Sequence, residues 1–537
     1  MMKRIMTISA VIASIVLASV SFTSCDTYEY AYLYEDLPFE MPHVQRPEIP
    51  THEVNICDFG GVGDGVTLNS DAFADAIEAL TEAGGGHLVV PAGIWLTGPI
   101  TLKDNIDLHI RPDAVLLFST DRDLYPIVET VFEGLDTRRC ISPINAVGAR
   151  NISITGGGTI DGNGDSWRQV KKSKMAPSQW NKLLKSGGFT NEKGDLWYPD
   201  SSSFRGAVVS DAFNVPQGLV TEEEWNSVKT YLRPVMISFK DCENVLLEDC
   251  LFQNSPCWNI HPLMCRNVII DNVTVRNPWY SQNGDGLDVD SCENVLVINS
   301  SFDVGDDAIC IKSGKDEDGR RRARPCRNLI VDNCIVFHGH GGFVVGSEMS
   351  GGVENIKVSD CRFLGTDVGL RFKSCRGRGG VVKNIHINDI VMMNIPTEPL
   401  LFDLHYGGKS AVEAAAEGAS PFDVPFVEAD ETTPQFRDIY IKDIVCSGAA
   451  RAMYFNGIPE KNIENIVVEN CEIVSDKGAD LRYSTGVILR DVRIIQSEGE
   501  GFSVANCKDV VIQDCKDATG KDMPEVFKYN SNDVTVK

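Results

Sequence analysis

The stretch "FDVGDDAICIKSG", residues 302–314, sets Asp306 and Asp307 side by side after a glycine in an otherwise apolar run. Adjacent carboxylates repel each other, so a segment built only to fold would avoid them. Asp285 stands 21 positions before Asp306, in "QNGDGLDVDSC". His340 follows in "FHGHGGFVVGS", and Arg371 and Lys373 in "GLRFKSCRGRGG". Three carboxyls, a histidine and a basic pair suit acid–base cleavage of a glycosidic bond. One carboxyl must be protonated to donate to the leaving oxygen, and another ionised to activate water; in an inverting enzyme the two lie about 6.5–9.5 Å apart. Crowding of like charges raises one pKa, so one of the three aspartates can keep its proton near neutrality. A histidine beside the acid tunes that proton. Arg371 and Lys373 are two residues apart, hence on one strand face. Together they suit a substrate carboxylate, Arg in bidentate fashion and Lys as a point charge. An acidic sugar is the expected substrate class.

These groups are spread over residues 285–373, and only a repetitive fold stacks them. One phrase recurs along the chain: "ENVLLEDCLF", "RNVIIDNVTV", "ENVLVINSSF", "RNLIVDNCIV", "ENIKVSDCRF", "KNIHINDIVM", "ENIVVENCEI" and "KDVVIQDCKD". Its leading residues Asn244, Asn267, Asn294, Asn328, Asn355 and Asn384 are separated by steps of 23, 27, 34, 27 and 29. The units carry short runs of period-2 alternation and no convincing helix. This pattern predicts an all-β chain, a right-handed parallel β-helix with one coil per repeat, rising about 4.8 Å per coil. Asp285, the Asp306–Asp307 pair, His340 and the Arg371–Lys373 pair then fall on four successive coils and form one patch. By contrast, Asp288 and Asp290 are expected at turns or coil edges.

The body of the β-helix is expected over residues 53–537. "NSDAFADAIEAL" reads as a helix, N-capped by Asn69 or Ser70 and ended by the Gly84 run, that covers the open N-terminal end. Two insertions interrupt the repeat, at about 163–234 and 396–436. The first holds Trp167, Trp180, Trp197 and Trp225, four of seven tryptophans; they suit either a sugar site or a small core of their own. Arg320, Arg321, Arg322 and Arg324 lie in an inter-coil loop, either solvated or a subsite for a polyanionic chain.

Residues 1–25 read as an export signal: Lys3 and Arg4, an apolar run, then small residues before Cys25. The segment resembles a bacterial lipoprotein signal in which Cys25 is lipidated, although Phe22 stands where leucine is usual. Residues 26–52, with Pro38, Pro42, Pro47 and Pro50, read as a tether. The expectation is an exported chain, an outer-membrane lipoprotein facing the periplasm or the outside, touching the membrane only through its anchor. A net charge of −26 argues against nucleic acid and anionic membrane surfaces as partners. Ten of the seventeen cysteines fall into two columns, two residues before and six after the leading Asn or Asp. That register predicts ladders of small buried thiols, though an oxidising compartment also permits disulfides. Oligomeric state is open.

"NGDG", "GDDAICIKSG", "GHGG" and "RFK", in this order, resemble the NTD, DD, GHG and RIK blocks of the polygalacturonase family of glycoside hydrolases (family 28). "DFGGVGDGVTLNSDAF" and "GGGHLVVPAG" resemble that family's opening. The resemblance implies hydrolysis of α-linked galacturonate in pectin with inversion, with no metal and no cofactor. It implies Asp306 as general acid, Asp285 and Asp307 as holders of the attacking water, and His340 as support for the acid. Asn283, Arg371 and Lys373 are implied to bind substrate. Gly284 and Phe372 depart from the family's Thr and Ile and are expected to alter subsite shape.

The large insertion and "RFKSCRGRGG" resemble exo-acting members, so release of terminal galacturonate is expected. A hydrolase of the galacturonate–rhamnose backbone of rhamnogalacturonan is the alternative. Two other classes share the scaffold: a lyase, which would use a calcium-binding carboxylate cluster and a base, and a non-catalytic glycan-binding protein.

Overall fold

The computed structural model describes residues 28–210, 214–407, 422–516, 519–521 and 525–537; Cys25 lies outside the described residues. The chain is a right-handed parallel β-helix in which 33 strands join one continuous sheet around an apolar interior. Interior side chains stack coil upon coil. Val245, Val268, Val295, Leu329, Ile356, Ile385 and Ile439 stand in register and are all buried.

The leading asparagine of each repeat has a backbone reason. Asn105, Asn151, Asn244, Asn267, Asn294, Asn328, Asn355 and Asn384 all adopt φ between 53° and 61°. Asparagine tolerates that left-handed region better than other residues with a side chain. Each amide then donates to the Oδ1 one coil below, from Asn151 on Asn105 at 2.8 Å to Asn384 on Asn355 at 2.7 Å. The ladder satisfies buried polar groups at the bend where the sheet turns.

Helix α1, Ser70–Glu82, buries Ala72, Phe73, Ala76, Ile77 and Leu80 against the first coils. Asn69 does stand at its N-cap, but its side chain accepts from Val62 N–H and donates to Leu96 O instead of capping the helix. All ten cysteines of the two columns are buried and carry free thiols. Cys265 N–H donates to Cys292 Sγ at 3.3 Å, one coil on.

Two expectations change. The four insertion tryptophans are buried in small cores of their own, Trp167 and Trp225 with Tyr125 and Tyr231, and Trp180 with Trp197. Residues 28–52 are no free tether: Tyr30, Leu33 and Val44 pack on Leu246, Ile269, Leu296, Ile298 and Ile330 on the outside of the sheet. Arg46 bridges Glu248 at 2.6 Å, and the Tyr30 hydroxyl donates to Asp271 at 3.2 Å. These aromatic and aliphatic residues cover a stripe that would otherwise face water.

Candidate active site

Four neighbouring strands position the site: β1 Leu287–Asp290, β2 Asp307–Lys312, β3 Gly341–Val345 and β4 Leu370–Lys373. Asp285 lies just before β1, Asp306 and Asp307 open β2, His340 lies just before β3, and Arg371 and Lys373 lie on β4. One oxygen from each of Asp285, Asp306 and Asp307 lies within 4.8 Å of the other two. His340 Nδ1 is 3.1 Å from Asp306 Oδ1. Arg371 Nη1 and Lys373 Nζ clamp the two oxygens of Asp307 at 3.1 and 2.6 Å. The predicted residues are thus brought together, and Asn283 adjoins them. Its Oδ1 accepts from the buried Arg233 Nη2 at 3.0 Å.

The carboxyl spacing departs from expectation. It is tighter than the roughly 6.5–9.5 Å of an inverting pair, so spacing alone does not select inversion. The proton also sits differently. Burial, with Asp288 and Asp306 close by, pushes the Asp285 carboxyl well above its ordinary range. Burial also pushes Asp306 up, but the hydrogen bond and charge of His340 more than offset it, and it ends below the ordinary range. Burial of Asp307 is likewise outweighed by Lys373 and Arg371, and its carboxyl ends well below. The hydrogen bond to Asp306 raises His340 against its own burial. The site thus favours a proton on Asp285 and on the His340 imidazole over one on Asp306 or Asp307.

Asp288 and Asp290 are not turn residues. Both lie within β1 and are fully buried. Lys312 Nζ is 2.9 Å from Glu348 Oε2 and 3.6 Å from Asp288 Oδ1, and 4.8 Å from the Trp258 ring centre. Along the strands, Asp288 lies three positions past Asp285, and Lys312 five past Asp307. Sequence reasoning missed Lys312, Glu348, Arg233 and Tyr406. Only Lys312, directly after the apolar run of the aspartate motif, left a trace.

The site lies at a blind end. An antiparallel hairpin, Ile127–Phe132 and Leu135–Cys140, covers the coils on the N-terminal side. Phe132 packs on Trp258 at 4.5 Å between ring centres, and Val131 on Leu263 and Met264. His261 beneath it is buried, whereas the side chains of Asp306 and His340 are 21% and 35% exposed. On the side of Arg371 and Lys373 stands the exposed Tyr406, whose ring lies 4.8 Å from Lys373 Nζ. The wall is thus this hairpin, not the 163–234 insertion alone.

The arginine loop braces that wall. Residues Asp316–Arg322 form a short helix. Arg321 bridges Asp136 at 2.7 Å, and Arg322 donates to Gly134 O, both on the hairpin. Arg320 donates to Gly377 O at 2.7 Å, and Arg324 bridges Asp241 at 2.9 Å. Neither a solvated loop nor a subsite describes them. The two departures in the motif also have causes. A Cβ at Gly284 would lie 1.8 Å from Ser281 Oγ, so only glycine fits there. Phe372 points inward and stacks on Phe402 at 4.5 Å, so it shapes the core and not a subsite.

Comparison with known proteins agrees with this geometry. The model of glycosyl hydrolases family 28 matches residues 222–450. The exo-poly-alpha-D-galacturonosidase of Dickeya chrysanthemi is 28% identical over 365 residues, 66% of this chain and 57% of that protein. The endo-polygalacturonase of Pectobacterium carotovorum subsp. carotovorum is 26% identical over 423 residues, 78% of this chain and 88% of that one. Among solved structures, the hyperthermoactive exopolygalacturonase of Thermotoga maritima is 32% identical, with a TM-score of 0.66, covering 88% of this chain and 94% of that one. The family 28 exopolygalacturonase of Yersinia enterocolitica, at 22% identity and a TM-score of 0.62, shares the fold.

Proposed function

This chain belongs to family 28 of the glycosyl hydrolases, and on that premise we propose that it removes galacturonate from the end of a pectic chain. The observation that carries the terminal mode is the hairpin on the N-terminal side of the site, whose Phe132 packs on Trp258, the ring that stands 4.8 Å from Lys312 near the aspartates. A terminal sugar fits between wall and aspartates. The remaining chain leaves over β4, where Arg371, Lys373 and Tyr406 line the open side.

Asp306 is the general acid. Its side chain is the most exposed of the three carboxyls, so it can reach the glycosidic oxygen of an entering chain. It receives its proton from the His340 imidazolium 3.1 Å away once a uronate carboxylate enters the cationic side of the site. Asp307, with both oxygens held by Arg371 and Lys373, is fixed as an ionised acceptor and is a poor nucleophile. Neutralising Asp306 removes a like charge beside Asp285, which then gives its proton to solvent and, as a carboxylate, shares with Asp307 the task of orienting and deprotonating water. Water therefore attacks in a single displacement, and the configuration inverts. A hexagalacturonate labelled at its reducing end tests the mode of attack: the first products should be monomer and labelled pentamer, whereas a spread of internal fragments would contradict it.

Residues 1–25 are proposed to export the chain and Cys25 to carry a lipid. The support is the basic, apolar and small-residue order before Cys25. Tyr28, three positions on, already packs within the strap, so the lipid would hold the β-helix directly against the membrane, in the periplasm or at the surface. Among the described residues no helix is long and apolar enough to cross a membrane. Labelled palmitate should be incorporated by the full chain and not by its Cys25→Ser variant; equal labelling of both would refute the anchor.

A further inference from the structure

Six of the seven tryptophans are at most 8% exposed, and Trp279 is 55% exposed. An indole left in water forgoes substantial burial energy, so its position calls for a ligand. Trp279 is also held rigidly. Its loop is anchored by the buried Asn277, whose Nδ2 donates to Asp285 O at 3.1 Å and whose Oδ1 accepts from Ser255 N–H at 3.0 Å. The loop packs so closely on Gly305 that a Cβ there would lie 2.6 Å from Pro278 O.

Trp279 forms the lip of a groove of about 730 Å³ on the outer face of the sheet, around the corner from the catalytic cleft. The floor is a column in register across four coils: Gln253, Arg276, Asp303 and His338. At about 4.8 Å per coil the column spans roughly 14 Å, room for a short oligosaccharide. Every carboxylate in it is already partnered. Asp161 accepts from Gln253 at 2.8 Å and Asn254 at 3.1 Å. Asp165 accepts from Arg168 at 2.5 Å and Tyr280 at 3.2 Å, and Asp303 meets His338 at 2.8 Å. Arg276 is exposed and makes no ion pair with any described residue. The chemistry on offer is an aromatic face for the C–H face of a pyranose, with the Lys174 ammonium 5.9 Å from its ring centre, and the Arg276 guanidinium for a carboxylate.

We propose that this groove is a second binding site for an acidic polysaccharide, separate from the catalytic cleft, with Trp279 as stacking platform and Arg276 as carboxylate partner. It would retain polymer beside the cleft between turnovers. The ligand class rests on the galacturonate reading above; the groove itself does not.

The test is affinity electrophoresis through polygalacturonate with the Asp306→Asn chain, which cannot consume it. Adding Trp279→Ala should lower the apparent affinity at least fivefold, and Arg276→Gln should lower it and flatten its salt dependence. In the active enzyme, Trp279→Ala should lower the ratio of kcat/KM on polymer to kcat/KM on digalacturonate at least fivefold. Melting temperature controls for folding. Unchanged retardation in Trp279→Ala would overturn the proposal even if the enzyme hydrolyses galacturonides. Equal losses on polymer and dimer would also overturn it, by placing Trp279 in the cleft. Retardation that depends on Trp279 in a chain that hydrolyses no galacturonide would support the groove while refuting the proposed function.

Discussion

Lys373 reaches back past a whole coil to set its ammonium 2.6 Å from Asp307. The strand between them begins with Gly341, which lies opposite Asp307; a Cβ there would come 2.4 Å from Val344 Cγ2, so the side chains packed around it leave room only for glycine. Asp307 is therefore ionised by design of the stack, although it is almost wholly buried.

Removing the ammonium should be felt twice. Lys373→Met leaves half of a buried carboxylate unpaired, a loss of roughly 2–4 kcal/mol by the scale of broken buried pairs. Urea denaturation at neutral pH should show it. The folded-state pKa of Asp307 is depressed, so this contribution is present above the ordinary Asp range and fades as pH falls through the folded pKa. The deficit should therefore shrink in strong acid. kcat/KM should fall about 100-fold or more, since the same cation meets the substrate carboxylate. A stable variant with intact activity would contradict the clamp.

The pH profile should follow His340. Its pKa is raised by Asp306, so the imidazolium is fully present below the ordinary histidine range and is lost as pH rises through the higher folded value. The alkaline limb of kcat/KM should thus lie above about 6.5. In His340→Gln that limb should move to lower pH and kcat should fall roughly 100-fold. A limb that stays in place would show that the proton does not pass through His340.

Opening the wall should change the products. A variant with residues 128–139 replaced by a short Gly–Ser turn removes Phe132 and Asp136 from Trp258 and Arg321. On polygalacturonate, oligomers should then appear beside the monomer when early time points are separated by anion-exchange chromatography. Monomer alone, at wild-type rate, would place the closed end elsewhere.

The strap predicts a stability effect far from the site. Tyr30 is 2% exposed and covers Ile269 and Leu296. Tyr30→Ala should lower stability by roughly 2–4 kcal/mol, read from the melting curve, with kcat/KM on oligogalacturonate unaltered. No shift would mean that residues 28–52 are a loose tether after all.

What was legible in the sequence was whatever the coil repeats. Asp285, the Asp306–Asp307 pair, His340 and the Arg371–Lys373 pair sit at one-coil steps, so spacing alone brings them together once the β-helix is inferred. The Asn and Cys columns show in the same way, although the left-handed φ that demands asparagine does not. Contacts made by non-repeating elements were hidden. Asp136 of the wall lies 185 residues before its brace at Arg321, and no period links them. Asp288 and Asp290 read as turn residues because the partners that meet them, Lys312 for Asp288 and His261 and Gly314 N–H for Asp290, lie on other coils. Tyr30 and Leu33 precede the prolines in a segment without periodicity, so their docking stripe left no pattern.

The most direct measurement is product analysis by mass spectrometry. Chain lacking residues 1–25 would be incubated, with chelator present, with polygalacturonic acid and, separately, with de-esterified rhamnogalacturonan oligosaccharides. Saturated galacturonic acid monomer from the first substrate, absent with Asp306→Asn, is the expected result. Products from rhamnogalacturonan alone would contradict the substrate, and unsaturated products would contradict hydrolysis by Asp306 itself.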